Sequence, residues 1–311
     1  MRIRATVAAV SGALALSAFA VPAAQADSSS HSPADLVKIA RAAHQAASGK
    51  SAFTATTADE GVPYQLDLTV SGVKVNNGKP IVAGISNKVS VPLTFKVTHG
   101  ADVNIHASDF ELDVDIYRES STNPEDGNVL FGDKAPTCTD TSATTADCKG
   151  TIDVYPDLEL TNADAATWTA EGYAFAWNGQ DPMSETIDWT KVGFAYQDGL
   201  GSVKLQRFSK LTVNAAPEPV KKGKTITVTG KLTRASWDSH KYTGYVTQPV
   251  KLQFRKKGSS TYTTLKTVKT DSTGSLKTTT TASVDGYYRY SFAGTATTPA
   301  VNATGDYVDV Q

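Results

Sequence analysis

The sequence predicts an all-β protein of two tandem β-sandwich domains preceded by one short α-helix. Three observations predict it. Apolar residues recur with period two over most of the chain beyond residue 63, helical periodicity is confined to one short stretch, and a proline-rich break near residue 215 separates halves of different composition. The 311 residues are 40% hydrophobic, 8% aromatic and 20% charged, the values of a folded globular protein. A disordered chain, a collagen, a bulk polycation and a disulfide-stapled miniprotein are excluded on these grounds.

Residues 1–26 open with Arg2 and Arg4, continue through an apolar stretch at 5–19, and end in the small-residue exit Ala24-Gln25-Ala26 before Asp27. That is the pattern of a secretory signal peptide. Pro22 and the exit end the run short of the about 20 apolar residues that a membrane span requires. Ile3 separates the two arginines, so there is no twin-arginine pair, and no cysteine stands at the exit to carry a lipid. The expectation is a secreted, extracellular protein with no membrane span. Residues 27–50 are a polar segment and then a helix. Ser32-Pro33-Ala34-Asp35 supplies an N-cap, a proline at the first helical position and an acid in the first turn, and Leu36, Ile39, Ala40 and Ala43 follow at helical spacing up to Gly49.

Residues 51–213 form the predicted first domain. In 64–70, Tyr64, Leu66, Leu68 and Val70 alternate with Gln65, Asp67 and Thr69, as a half-buried strand requires. The pattern repeats at 88–97 and 109–117, where Phe110, Leu112, Val114 and Ile116 oppose Asp109, Glu111, Asp113 and Asp115. Further strands are predicted at 151–155, 172–177, 192–196 and 203–208, between clusters of Asn, Asp, Pro and Gly. Cys138 and Cys148, the chain's two cysteines, enclose a Thr/Asp/Ala-rich segment, and in an exported chain they predict a local disulfide.

Residues 214–224, with Pro217 and Pro219, read as a short Pro/Lys linker of restricted flexibility. The predicted second domain, 225–311, is all β. From residue 220 onward there are 20 Thr and only 4 Leu, a bias toward strand over helix. Strands are predicted at 225–232, 250–255, 262–269, 275–281, 287–292 and 306–310, with a turn signal at Asp271-Ser272-Thr273-Gly274.

Within this domain Asp285-Gly286-Tyr287-Tyr288-Arg289-Tyr290 resembles the corner motif of bacterial immunoglobulin-like sandwich modules. The resemblance covers the last third of the chain. It implies that Tyr288 is the corner residue whose hydroxyl bonds back across the turn, and that Tyr290 and Phe292 face the core where an antibody domain has a cysteine. Taken whole, from its leader through the segment from Gly223 to Leu232 to the Asp-Tyr-Val-Asp end, the chain also resembles small secreted proteins of actinomycete type, some of which are labelled calcium-binding. Calcium is therefore the cofactor to test for.

The total formal charge of −1 conceals a division: residues 50–213 sum to −11 and residues 214–311 to +8. The bland reading is two solvated surfaces. The sharper one is that the Lys-rich module (Lys221, Lys222, Lys224, Lys251, Arg255, Lys256, Lys257) rests on anionic wall polymer. Nucleic acid is not an expected partner, because no groove-reading motif is present and the destination is extracellular.

Asp109, Glu111, Asp113 and Asp115 place carboxylates at every second position of one strand, where a hard cation with oxygen ligands would relieve their repulsion. A helix-loop-helix calcium loop is absent, since Val114 stands where that loop needs glycine and Ser120 where it needs glutamate. Acids on one strand face do not converge by themselves, so loop residues such as Glu125, Asp126, Asn128 or Asp133 would have to complete a metal site. The alternative is a solvent face guarded by charge. Tyr173, Phe175 and Trp177 make an aromatic row that serves either a sugar or the core, and the alternation with alanine favours the core. The five histidines are scattered, and neither G-x-S-x-G nor H-E-x-x-H occurs. A carboxylate-pair glycosidase leaves no short motif and stays open as a third reading. The expectation is an exported, non-catalytic binding or surface-associated protein, with extracellular calcium binding as the alternative.

Overall fold

The computed structural model describes residues 63–118, 128–182, 184 and 186–311. The expected leader and helix of 1–50, together with Glu125 and Asp126, lie outside the described residues. In chain order the first strands are β1 (Tyr64–Gln65), β2 (Leu68–Val75), β3 (Ile81–Ala83), β4 (Val89–His99), β5 (Phe110–Arg118) and β6 (Asn128–Leu130). They are followed by β7 (Thr137–Ser142), β8 (Thr145–Val154), β9 (Thr167–Ala176), β10 (Gly193–Gln197) and β11 (Ser202–Arg207). One short helix, α1 (Pro156–Glu159), falls between β8 and β9, with Pro156 at its start where a missing N–H costs nothing. The remaining strands are β12 (Ser209–Leu211), β13 (Asn214–Ala216), β14 (Thr225–Ser236), β15 (Lys241–Gly244) and β16 (Pro249–Lys256). β17 (Thr263–Lys269), β18 (Ser275–Thr281), β19 (Gly286–Phe292), β20 (Val301–Asn302) and β21 (Asp306–Val308) complete the chain. The protein is all β, as its periodicity predicts, and no described helix is long and apolar enough to cross a membrane.

The chain divides into two compact units. Among the described residues the first holds 63–78, 90–153 and 169–202; the second holds 79–89, 154–168 and 203–311. In the first unit, β1, β10, β9, β5 and β6 are neighbours in one sheet, and β2, β4, β8 and β7 in another. Val91, Leu93, Phe95 and Val97 of β4 are buried at alternate positions, the period that drives one face of a strand inward. On β5, Leu112, Val114 and Ile116 lie opposite Ala174, Gly172 and Ala170 of β9. The small residues let the sheet be approached closely: a Cβ on Gly172 would lie 3.3 Å from a Val70 methyl.

Cys138 and Cys148 are directly opposed on β7 and β8 and joined by the disulfide that the sequence predicts. The segment between them is a β-hairpin rather than a loop. Its strand β7 is exposed at nearly every position, so no apolar alternation marked it in the sequence.

The second unit is a sandwich. β14 carries β12, β13, β15 and β18 along its edges, while β16 pairs with β17 and β19, and β19 with β20 and β21. The two sheets share one core, in which Ile226, Val228 and Leu232 of β14 meet Val250 and Leu252 of β16 and Tyr288, Tyr290 and Phe292 of β19. The order β13-β14-β18 in one sheet against β17-β16-β19-β21 in the other is that of an immunoglobulin-like sandwich, in which the chain alternates between sheets. The residues read as a linker belong to this unit: Asn214–Ala216 pairs with β14, and Val220 bridges Val310 in parallel on the other sheet. The segment thus changes sheets across Pro217 and Pro219, residues that suit an edge because they have no N–H to donate. At the turn before β18, Asp271 accepts from the backbone of Thr273 and Ser275, and Gly274 takes φ +81°, a conformation open to glycine.

The corner tyrosine differs from expectation. Tyr288 faces the core and lies 4.8 Å from the Phe254 ring, but the hydroxyl that crosses the sandwich belongs to Tyr290, which donates to the Val228 carbonyl at 2.9 Å. Gly230 explains why. A Cβ there would stand 2.8 Å from the Tyr290 ring, so the bare backbone of β14 leaves room for the ring to lie across it. Burial pushes the Tyr290 phenol up to about 12.

Candidate functional site

The acids predicted as a metal set are dispersed by the strand that carries them. At about 3.4 Å per residue, Glu111 and Asp115 lie about 14 Å apart along β5, with Asp109 one residue before its start, so the acids do not share one ion. Asp109 accepts from the Gly179 N–H at 2.8 Å, beyond one end of the strand. Asp133 sits in the loop after β6, where its N–H donates to Asp153. Between them, Glu111, Asp113 and Asp115 are paired across the sheet with Phe175, Tyr173 and Glu171. Among the described residues no three His, Cys, Asp or Glu side chains are grouped to hold a metal ion.

This face is not the solvent face that alternation suggested. Asp113 is 4% exposed, and Asp115 and Glu171 are fully buried. Period two assigns residues to opposite faces without saying which faces are covered, and here both faces of β5 and β9 are covered. Glu171 accepts from the Tyr196 hydroxyl at 2.6 Å, a hydrogen bond of the kind a buried polar group requires. The aromatic row lies on the same face and is core. Phe175 stacks on Trp177 at 4.9 Å and meets Phe194 at 4.9 Å, and all three rings are buried, so they present no platform to a sugar.

Two adjoining cavities of about 260 Å³ each flank the loop 100–109 of the first unit. One is bordered by Asp67, Asp102, Asp109, Tyr64 and Asn178, the other by His99, His106, Asp102 and Asp140. Asp67 and Asp102 both crowd Gly100, where a Cβ would lie 2.9 and 2.7 Å from their carboxylates. His106 meets Asp140 at 2.8 Å in an exposed pair of small energetic consequence. Among the described residues no Ser, Thr or Cys lines either cavity.

The second unit carries a different arrangement. Its sheet of β16, β17, β19 and β21 turns Lys251, Gln253, Arg255, Tyr287, Arg289 and Ser291 away from the core, at positions alternating with Leu252, Phe254, Tyr288 and Tyr290. Register sets Arg255 opposite Tyr287, Tyr287 opposite Tyr307, and Gln253 opposite Arg289. At the rim, Asp285 of the corner motif clamps the C-terminal strand. Its carboxylate accepts from the Val310 N–H at 2.9 Å and from the Tyr307 hydroxyl at 3.1 Å, and Lys257 stands 3.4 Å away. The Val310 bond leads the causes that hold this carboxyl below the usual range; the Tyr307 hydroxyl and Lys257 add to it. Elsewhere in the unit Arg207 is buried, with its Nε donating to the Ala235 carbonyl, and desolvation beside Arg234 lowers its pKa to about 10.

No protein-family model matches the chain, and no curated protein matches it. Among solved structures it is similar to the D00-D0 domain of intimin, at 13% identity over 78% of this chain and 98% of that one, with a TM-score of 0.25. The Escherichia coli adhesin FdeC is similar at 12% identity over 81% and 67%, with a TM-score of 0.29. Three N-terminal domains of the outer capsid protein Hoc of bacteriophage RB49 are similar at 12% identity over 79% and 70%, with a TM-score of 0.26. The immunoglobulin-like assignment of the second unit rests on its strand order.

Proposed function

We propose that the chain is an exported, non-catalytic binding protein that associates with anionic wall polymer through its basic C-terminal unit. The supporting observation is a charge imbalance that the protein does not satisfy internally. Residues 214–311 hold 14 Lys and Arg against 6 Asp and Glu, and among these described residues Lys257 alone is ion-paired, with Asp285. Exposed cations without partners attract a polyanion through long-range field and counterion release. Co-sedimentation with purified wall polymer tests the reading: retention is expected to weaken about tenfold or more across a tenfold rise in salt. Retention indifferent to salt, or no retention at low salt, contradicts it.

A further inference from the structure

We propose that the outer face of the second unit's β16–β19 sheet is a built binding site for an acidic polysaccharide, with Arg255 and Arg289 as the groups that take the sugar carboxylates. The proposal rests on the polymer-binding reading above and gives it an address.

The two arginines are separated by 34 positions in sequence and brought together by register. Arg255 opposes Tyr287 and Arg289 opposes Gln253, which makes the arginines diagonal neighbours on one face, about 7 Å apart. Each guanidinium is laid on tyrosine. Arg289 lies 3.8 Å from the centre of the Tyr262 ring, and Arg255 lies 4.1 Å from Tyr287 and 5.3 Å from Tyr262. Tyr287 in turn packs against Tyr307 at 5.2 Å. Single hydrogen bonds then fix the orientation: Arg289 donates its Nε–H to Gln253 at 2.9 Å, and Arg255 donates from Nη1 to the Ser259 carbonyl.

Neither arginine has a carboxylate partner among the described residues, in contrast to neighbouring Lys257, which Asp285 holds. Each guanidinium has five N–H groups and spends one on the protein. What remains is a pair of half-buried forks, stiffened by ring contact, whose other N–H groups have no acceptor among the described residues. A cation held in this way loses little side-chain freedom when an anion binds, and the fork matches a carboxylate in two parallel bonds.

The surroundings favour a ring-bearing polymer over a plain polyphosphate. Tyr262, Tyr287 and Tyr307 gather beside the guanidinium groups, the last two tilted 54° to each other, and supply aromatic carbon for the C–H face of a pyranose, whereas a polyol phosphate chain has no apolar ring face to set against it. Lys251 stands on the same outward face, two residues before Gln253, and extends the row of cations along β16.

The test is calorimetric titration of the full exported chain with polygalacturonate oligomers. Wild type is compared with Arg255→Gln/Arg289→Gln, with Arg255→Lys/Arg289→Lys, and with a Lys231→Gln/Lys241→Gln/Lys277→Gln control that removes more charge from exposed positions of β14, β15 and β18, on the unit's other sheet. Unchanged melting temperatures establish that each variant folds. The arginine-to-glutamine pair is expected to lose at least tenfold in affinity, the lysine pair at least fivefold because charge without the fork is insufficient, and the triple control less than threefold. Equal losses for the control and the arginine pair, or wild-type binding by the arginine pair, overturn the site while leaving polymer association intact. Equally tight binding of polyphosphate or of a single-stranded DNA overturns the sugar assignment. Failure of wild type to bind any polyanion overturns the polymer reading itself.

Discussion

Replacing Tyr290 with alanine is expected to destabilise the C-terminal unit by about 3–5 kcal/mol, the range for deleting a fully buried aromatic ring. The ring spans the sandwich between β19 and β14, and no side chain on Gly230 can move in to fill the space it leaves. The companion substitution Tyr290→Phe keeps the ring and removes the hydroxyl that satisfies the Val228 carbonyl, which is expected to cost about 1–2 kcal/mol. Tyr288→Phe, at the position that the motif's resemblance implies for the corner, is expected to cost less than Tyr290→Phe. Chemical denaturation of the three variants checks the order, and a larger loss for Tyr288→Phe would restore Tyr288 as the corner residue.

Trp237 is the second position of large expected effect. It is fully buried in the second unit, its indole N–H donates to the Gly84 carbonyl at 2.7 Å, and its backbone N–H donates to the side chain of Asn162 at 3.0 Å. One residue therefore ties both inserted segments of that unit, 79–89 and 154–168, to the end of β14. Trp237→Ala is expected to cost about 3–5 kcal/mol through the cavity it opens. Trp237→Phe, which fills most of the space but abandons the Gly84 carbonyl, is expected to cost about 1–3 kcal/mol. Hydrogen exchange distinguishes this role from simple bulk: protection should fall in 79–89 and 154–168 before it falls in β16 and β19. Uniform loss across the unit would show that Trp237 does not serve as a local tie.

What the sequence made legible follows from where side-chain alternation survives. β18 and β19 were readable because threonine, lysine and tyrosine alternate there with a single buried face, and predicted strand 275–281 coincides with β18 (Ser275–Thr281). β7 was not readable because both its faces are polar, and the disulfide rather than alternation marks its register. The acids of β5 were assigned correctly to one face, but the cover over that face comes from residues distant in sequence, so burial of Asp113 and Asp115 could not be read from spacing. The arginine face was half legible. Arg255 is one of seven cations in the Lys-rich set that the sequence marks, whereas Arg289 joins it only through the pairing of β16 with β19. The outward alternation Tyr287, Arg289, Ser291 was the signal available, and its weight depended on knowing which strand lay beside it.

Nuclear magnetic resonance titration of the labelled protein with polygalacturonate oligomers, following backbone amides and arginine Nε–Hε signals together, locates the polymer-binding face. Shifts concentrated at Arg255, Arg289 and the amides of β16 and β19, with the first unit silent, are the predicted result. Shifts centred on the loop 100–109 or on the acids of β5, or spread evenly over every exposed lysine, would contradict it.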